Sequence, residues 1–172
     1  YTESNVSDNT GSDTVAVVDA LPAADVEVLD VRLVGGGPVG MGLAIELGQR
    51  GIACTVIERH PAPQRIPKGQ NLTQRTLEHF HFWGVEKALR AARTIPPEYG
   101  IGGLTAYGTL LGPYHYDWLQ RDLVRPFYYT ANERLPQYAT EAVLRARVSE
   151  LPSVQVLYGW NAVEVHDSGD QV

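Results

Sequence analysis

Residues 31–51 read VRLVGGGPVGMGLAIELGQRG, and this stretch decides the fold. A short run rich in β-branched residues leads into three consecutive glycines, which favour a tight turn at the end of a strand. Apolar residues then recur at helical spacing at Val39, Leu43 and Leu47, and Gly51 stands where a helix C-cap is expected. The stretch therefore predicts a strand, a tight turn and a helix.

A second apolar strand is predicted over residues 52–58, which read IACTVIE. Strand, turn, helix and strand together make a βαβ unit of about 30 residues. Such a unit places its two strands parallel in one sheet. The fold class predicted is therefore α/β, with a Rossmann-like domain built on a parallel sheet.

The rest of the chain divides into segments of different composition. Pro and Gly make residues 60–70 a loop. Residues 99–129 hold eight of the fifteen aromatic side chains among glycines and β-formers, which is typical of strands and loops. The other predicted elements are a helix over 73–92 broken near Gly84, a helix over 137–150, and a strand pair over 154–158 and 162–165 around Gly159.

Acidic charge is concentrated at the start of the sequence. Residues 1–31 hold seven Asp and Glu and no Lys or Arg, whereas the remaining residues hold thirteen acids and fourteen bases. Residues 1–28 are therefore predicted to form a flexible acidic leader. The absence of a dense basic stripe argues against nucleic-acid binding. Without an apolar run of about 18 residues no membrane association is expected, and without a targeting signal the cytoplasm is favoured.

The glycines form a G-x-G-x-x-G pattern at Gly35, Gly37 and Gly40. In a dinucleotide site the first glycine permits the tight turn, the second lets a pyrophosphate approach the backbone, and the third allows close packing of helix on strand. The helix N-terminus that follows offers unpaired N–H groups and a positive dipole end to phosphates. Strand, turn and helix are the context that this motif requires.

An acidic residue ends the second strand, since Glu58 lies 21 residues after Gly37. An acid at this place accepts hydrogen bonds from an adenosine ribose. The alternative is a turn that binds nothing, with Glu58 as a solvated charge at a strand end. The motif alone does not separate FAD from NAD, so an NAD-binding dehydrogenase domain and a non-catalytic dinucleotide-binding subunit stay open.

Three stretches carry a family resemblance. They are VGGGPVGMGLA at 34–44 with VIER at 56–59, KGQNLTQRTLE at 68–78 running to Trp83-Gly84, and LPQYATEAVL at 135–144. Together they resemble the FAD-dependent aromatic hydroxylases, the single-component flavoprotein monooxygenases typified by para-hydroxybenzoate hydroxylase. The resemblance runs from residue 30 to about residue 165. The third stretch is the most specific, because simple NAD dehydrogenases lack it.

The resemblance implies FAD as the cofactor and assigns its contacts position by position. Gln137 is expected near the ribityl chain or the pyrophosphate, although it is also a plausible polar residue for opening a helix. Lys68 stands where the family usually has Arg and offers a point charge instead of a planar fork; the alternative is a solvated loop lysine. The implied contact residues are Gly35, Gly37, Pro38, Val39, Gly40, Glu58, Arg59, Arg65, Lys68, Gly69, Gln70, Asn71 and Gln137.

The implied activity is hydroxylation of a phenol-like aromatic substrate, with NAD(P)H as reductant and O₂ as oxidant. Another FAD-dependent chemistry, such as that of an epoxidase or a halogenase, is the alternative within the same fold. No catalytic residue and no metal site can be named from this sequence. Its one cysteine, Cys54, excludes an intrachain disulfide.

The resemblance also implies a division of the chain. Residues 29–94 are expected to form the first part of the FAD-binding domain, 95–131 the start of an inserted β-rich substrate domain, and 132–172 the second part of the FAD-binding domain. The chain is expected to belong to a larger protein, with a complementary C-terminal polypeptide that completes the fold. A homodimer is one assembly open to it.

Overall fold

The computed structural model describes residues 31–96, 103–117 and 121–165, so the expected leader at 1–28 lies outside the described residues. The elements in chain order are β1 (Val31–Val34), α1 (Pro38–Gln49), β2 (Cys54–Glu58), β3 (Asn71–Leu72), α2 (Gln74–Phe82), α3 (Glu86–Ala91), β4 (Leu104–Ala106), β5 (His115–Asp117), α4 (Arg121–Val124), a 3₁₀ turn (Arg125–Phe127), β6 (Glu133–Arg134), α5 (Gln137–Val148) and β7 (Val154–Tyr158).

A three-stranded parallel sheet organises the fold, in the order β1-β2-β7. Cys54 of β2 lies opposite Val31 of β1 on one side and Val154 of β7 on the other. Every residue of β2 is buried, as is usual for a parallel strand covered on both faces. The predicted βαβ unit and α/β fold class are confirmed.

The hydrophobic core joins this sheet to the helices. Cys54 is fully buried within it, and burial raises the pKa of its thiol, so it acts as a small apolar side chain. The buried core residues are Met41, Ala44, Ile45, Cys54, Val56, Leu77, Phe80, Trp83, Val85, Leu89, Leu135, Leu144, Val148 and Leu151.

Helix α1 does not bury the stripe that its aliphatic spacing suggests. Val39 is 87% exposed and Leu43 47% exposed, while the buried side holds Met41, Gly42, Ala44, Ile45 and Gly48. A Cβ on Gly42 would lie 2.6 Å from Trp83, and one on Gly48 would lie 2.6 Å from Val154. The helix therefore packs closely through its small residues, with Val39 and Leu43 on its outer side and Leu47 partly buried against the core.

The ends of the predicted helices follow local sequence signals. The hydroxyl of Thr73 caps α2 by accepting a hydrogen bond from the backbone N–H of Thr76 at 3.3 Å. Gly84, at φ +75°, separates α2 from α3, which confirms the predicted break. Gly51, at φ +73°, follows the C-cap of α1 as predicted.

The predicted strand pair around Gly159 is wrong in its second half. β7 ends at Tyr158 and the chain turns at Gly159, which has φ +80°; between residues 160 and 165, only Ala162 forms an isolated bridge. β7 pairs in parallel with the buried strand β2, not with the residues that follow it. The reason is that β2 is central and fully buried, so its second edge needs a strand partner for its backbone groups.

A short antiparallel pair, which we call the β3–β6 ladder, joins two distant parts of the chain. Asn71 lies opposite Arg134, and Leu72 lies opposite Glu133. The ladder continues into a backbone hydrogen bond of 2.8 Å from the N–H of Leu135 to the carbonyl of Gln70. It places the loop before β3 against the start of α5.

Ion pairs join α3 and the residues just after it to β6. The guanidinium of Arg90 donates to Glu133 at 3.1 Å and to Glu86 at 2.9 Å, and Arg93 also pairs with Glu133. The Glu133 side chain is buried, so these charges compensate one another inside the fold. The hydroxyl of Thr130 adds a hydrogen bond of 2.9 Å to Glu86.

The aromatic segment contributes a separate antiparallel hairpin, β4–β5. Tyr107 and Tyr114 contact each other with ring centroids 5.3 Å apart, yet they are 63% and 64% exposed. Tyr99 and Trp118 lie outside the described residues. The aromatic side chains that the structure describes therefore do not form a sheet core of their own. None of the helices in the described ranges is long and apolar enough to cross a membrane.

Candidate cofactor site

The glycine turn between β1 and α1 shows why glycine is needed at two of its positions. Gly35 has φ +103°, a conformation that other residues rarely adopt, and its N–H donates to the carbonyl of Ile57 at 2.8 Å. A Cβ on Gly40 would lie 1.9 Å from the carbonyl oxygen of Gly35, so no side chain fits there. A Cβ on Gly37 would meet no atom within 4 Å and would instead fill open space beside the turn.

The N-terminus of α1 faces that open space. Gly37 is the N-cap, no side chain caps the helix, and Pro38 occupies the first turn. After that proline, the first N–H group with an acceptor in the helix is that of Met41, which donates to the carbonyl of Gly37 at 2.9 Å. The N–H groups of Val39 and Gly40 precede it, and first-turn amides have no acceptor within a helix. The positive end of the helix dipole therefore points at an open cradle suited to an anion.

Glu58 holds the turn in place from the end of β2. Its Oε2 accepts from the backbone N–H of Gly36 and its Oε1 from that of His60, both at 2.6 Å. The side chain is buried, so the alternative of a solvated charge at a strand end is wrong. A carboxylate oxygen keeps a second lone pair when it accepts one hydrogen bond, so Glu58 retains capacity to accept from a ribose hydroxyl.

The loop before β3 is held against α5. The N–H of Gln137 donates to the carbonyl of Gly69 at 3.0 Å, next to the β3–β6 ladder. Gln137 thereby lines one cavity together with Gly69, Gln70 and Asn71, and a second cavity together with Lys68. Residues almost seventy positions apart are brought together in this way.

Two cavities flank Gln137. The larger has a volume of about 710 Å³ and is lined by Val39 and Leu43 of α1, and by Trp83 and Leu135, among others. The smaller, of about 260 Å³, contains the glycine turn and is lined by charged side chains. The exposed stripe of α1 therefore borders the apolar cavity, and the anion cradle opens into the polar one.

Charged side chains of both signs surround the smaller cavity. Its lining includes Arg59, Lys68 and Arg145 as cations, and Glu58 and Glu141 as anions. Of the predicted contact residues, Arg65 is exposed and lines neither cavity. Every other predicted contact residue except Gly40 lines a cavity, and Gly40 lies inside the turn. No cluster of acidic, His or Cys side chains within the described ranges has the grouping that a metal ion needs.

Several residues that line this cavity were not predicted as contacts from the sequence, among them His60, Glu141 and Arg145. The guanidinium of Arg145 lies 4.5 Å above the ring of Tyr158 and donates to the carbonyl of Pro61 at 3.2 Å. Burial raises the pKa of Tyr158, while the charge of Arg145 opposes that rise. Glu141 was foreseeable, because it stands one helical turn after Gln137.

The residues present fit a dinucleotide. The open cradle at Gly37 is the space that a pyrophosphate needs, and a Cβ there would fill it. The cradle adjoins an uncapped helix N-terminus and a buried acid at the end of the neighbouring strand. An elongated ligand has room on both sides of Gln137.

Comparison with known families agrees with this geometry. The model of the family described as FAD binding domain matches residues 27–172. The chain belongs to this family. The chain is 31% identical over 150 residues to 4-methyl-5-nitrocatechol 5-monooxygenase of a Burkholderia species, covering 86% of this chain and 27% of that protein. It is 27% identical over 141 residues to para-nitrophenol 4-monooxygenase of Pseudomonas sp. strain WBC-3, covering 81% of this chain and 34% of that protein.

A solved structure extends the similarity to three dimensions. The chain matches the flavin-dependent monooxygenase PieE, solved in complex with FAD and substrate, with a TM-score of 0.64 and 26% identity. The match covers 80% of this chain and 24% of that one. The predicted resemblance to FAD-dependent aromatic hydroxylases is confirmed. The chain spans about a quarter to a third of the length of these relatives.

Proposed function

We propose that this chain supplies the FAD-binding part of a flavin-dependent monooxygenase that hydroxylates a phenolic ring, with NAD(P)H as reductant and O₂ as oxidant. The observation that carries the proposal is the open anion cradle at Gly37, joined through Gln137 to a large apolar cavity. FAD, when bound, supplies the redox chemistry, and the protein binds, orients and excludes water. The proposed compartment is the cytoplasm, because NAD(P)H is available there.

The chain's own residues have distinct proposed roles toward FAD. The first-turn amides of α1 bind the pyrophosphate, and Glu58 accepts from the adenosine ribose while it holds the glycine turn. Arg59 and Lys68 add positive charge at the smaller cavity. Lys68 neutralises phosphate as a point charge, without the two-pronged geometry of Arg.

The proposal includes a complementary polypeptide, which carries the rest of the fold. Strand β1 has β2 on one side only among the described strands, so its other edge is open to a further strand. Val34 at the end of β1 is 58% exposed. A further strand paired with β1 would cover it.

The proposed division of the chain follows the same logic. Residues 29–94 and 132–172 form the FAD-binding domain, which is supported by the presence of β1, β2 and β7 in one sheet. Residues 95–131 begin the substrate domain, which is supported by the separate β4–β5 hairpin. An aromatic substrate would meet that domain and the apolar cavity.

An absorption spectrum of the purified protein, with the intact masses of its polypeptides, tests the proposal. Bound oxidised flavin gives absorption bands at about 370 and about 450 nm. A second polypeptide among the intact masses would identify the complement. Oxidation of NAD(P)H that depends on both O₂ and an added phenol is then expected. A colourless protein saturated with NAD would overturn the proposal.

A further inference from the structure

Glu141 of α5 is a buried carboxylate that hydrogen-bonds to Gln137. The Nε2 of Gln137 donates to its Oε1 at 2.7 Å, and the Glu141 residue is 9% exposed. A carboxylate accepts hydrogen bonds and donates none. The contact therefore decides which way round the amide of Gln137 stands, with its nitrogen toward Glu141.

The carbonyl oxygen of that amide consequently points the other way. Gln137 Oε1 lies 3.6 Å from the position that a Cβ on Gly69 would occupy. Gly69, Gln70 and Asn71 line the larger cavity together with Gln137. Gln137 thus presents a hydrogen-bond acceptor to the cleft in which the proposed cofactor lies.

The partner of this acceptor must be a donor. A flavin dinucleotide offers hydroxyl donors on its ribityl chain, whereas its pyrophosphate oxygens only accept at neutral pH. The negative charge of Glu141 beside Nε2 further disfavours a phosphate at the nitrogen end of the amide. Both ends of the Gln137 amide therefore favour one orientation, with Nε2 toward Glu141 and Oε1 toward the cofactor.

We propose that Glu141 is a positioning residue that locks the Gln137 amide so that it accepts a hydrogen bond from a ribityl hydroxyl of FAD. This inference rests on the proposed function as an FAD-binding domain. It assigns Gln137 to the ribityl chain and away from the pyrophosphate. It also gives a buried acid in a cofactor cleft a role that does not require contact with the cofactor.

Binding of FAD and of ADP to the flavin-free protein tests the inference, with the complementary polypeptide included if it co-purifies. ADP carries the adenosine and the pyrophosphate but lacks the ribityl chain. Glu141→Gln can face Gln137 with either end of its new amide, so it no longer dictates the orientation. We expect it to weaken FAD binding about tenfold and to leave ADP binding within about twofold of the wild type.

Two further variants separate positioning from general damage. In a Gln137→Ala background, Glu141→Gln is expected to have no additional effect on FAD binding, because the residue acts through Gln137. Glu150→Gln is the matched control, since it lies just beyond the same helix and is exposed, paired only with Arg147. We expect its affinity for both ligands to equal that of the wild type.

The outcomes are distinct. Equal weakening of FAD and ADP by Glu141→Gln, or additive effects in the double variant, would overturn the inference. Unchanged FAD binding in Glu141→Gln would overturn it as well. A wild-type protein that binds ADP but not FAD would instead overturn the proposed function, and the inference with it.

Discussion

The backbone N–H of Gly36 donates to Oε2 of Glu58, 22 residues later in the chain, at 2.6 Å. The bond ties the glycine turn to the neighbouring strand, so that one side chain fixes the shape of the anion cradle. A Cβ on Gly36 would lie 2.8 Å from the Cβ of Glu58, which shows how closely the two segments approach. The acid is therefore part of the turn as well as a candidate ligand for the ribose.

Replacing Glu58 with Gln is expected to destabilise both the fold and the cofactor complex. Only the oxygen end of an amide accepts hydrogen bonds, whereas both oxygens of Glu58 accept one, from the N–H groups of Gly36 and His60. The variant therefore leaves one of these donors unpaired. The free energy of unfolding should fall by about 1–3 kcal/mol. Urea denaturation measures the loss, and titration with FAD should show weaker binding.

The exposed Glu150→Gln serves as the control for Glu58→Gln. It removes the same charge but leaves no buried donor unpaired, so it should unfold at the wild-type urea concentration. Equal stability of the two variants would show that the contact of Glu58 with the turn contributes nothing measurable.

The second and third motif glycines should respond in opposite ways to the same substitution. Gly40→Ala puts a methyl group 1.9 Å from the carbonyl oxygen of Gly35, and we expect a loss of stability of more than about 3 kcal/mol or failure to fold. Gly37→Ala meets no atom within 4 Å, so the folded protein should keep its stability. Its methyl group fills the cradle, so its affinity for FAD should fall.

Thermal unfolding and FAD titration of both alanine variants check this contrast. The informative result is a stable Gly37→Ala protein with poor FAD binding. If it instead bound FAD as tightly as the wild type, the pyrophosphate would not lie against Gly37.

Trp83 links α2 to α1 through one polar contact. Its indole N–H donates to Oε1 of Glu46 at 2.7 Å, and this bond, with help from Arg50, lowers the pKa of Glu46. Trp83→Phe removes the donor and part of the ring that packs on Gly42, so we expect a loss of about 1–3 kcal/mol. Urea unfolding followed by circular dichroism measures it. Phe82→Leu, at a 72% exposed neighbour, should change stability little by comparison.

Glu86 makes part of the stability dependent on pH. Burial raises its pKa, but hydrogen bonds from Thr130, Arg90 and His81 outweigh that effect, so the net pKa lies below the ordinary value of 4.5. A lowered folded-state pKa contributes stability that is present above pH 4.5 and is lost as pH falls through the folded value. The protein should therefore lose stability in acid below this range.

Glu86→Gln identifies the residue responsible. The variant should be less stable than the wild type at pH 7, and the difference should shrink as the pH falls below 4.5 and the wild-type carboxylate becomes protonated. Denaturant midpoints at several pH values measure it. A difference that stays constant over the whole range would assign the acid sensitivity to other groups.

The sequence predicted where the strands and helices lie better than it predicted which side of each helix is buried. Glycines and a β-branched run located β1, α1 and β2, because turn chemistry and strand composition are local. Spacing marked Val39 and Leu43 of α1 as one stripe but did not show that it borders a cavity. Helical periodicity finds a helix surface without saying whether protein, ligand or solvent covers it.

The site was predictable where a motif fixes a backbone, and less so where long-range pairing assembles it. Gly35 and Gly37 lie as the motif requires, whereas Arg65 lines neither cavity. The approach of Gly69 to Gln137 depends on the β3–β6 ladder, and two-residue strands leave almost no signal in sequence. Family resemblance supplied what periodicity did not.

The ion pair between Arg90 and Glu133 has a consequence for how such proteins diversify. It joins α3 to β6, the two elements that lie before and after residues 92–132 in the chain. When the two elements that flank a connecting segment contact each other directly, the segment can change in length and sequence without altering the packing of those elements. Loops of other lengths and sequences exchanged between these two residues should therefore leave the contact between α3 and β6 in place.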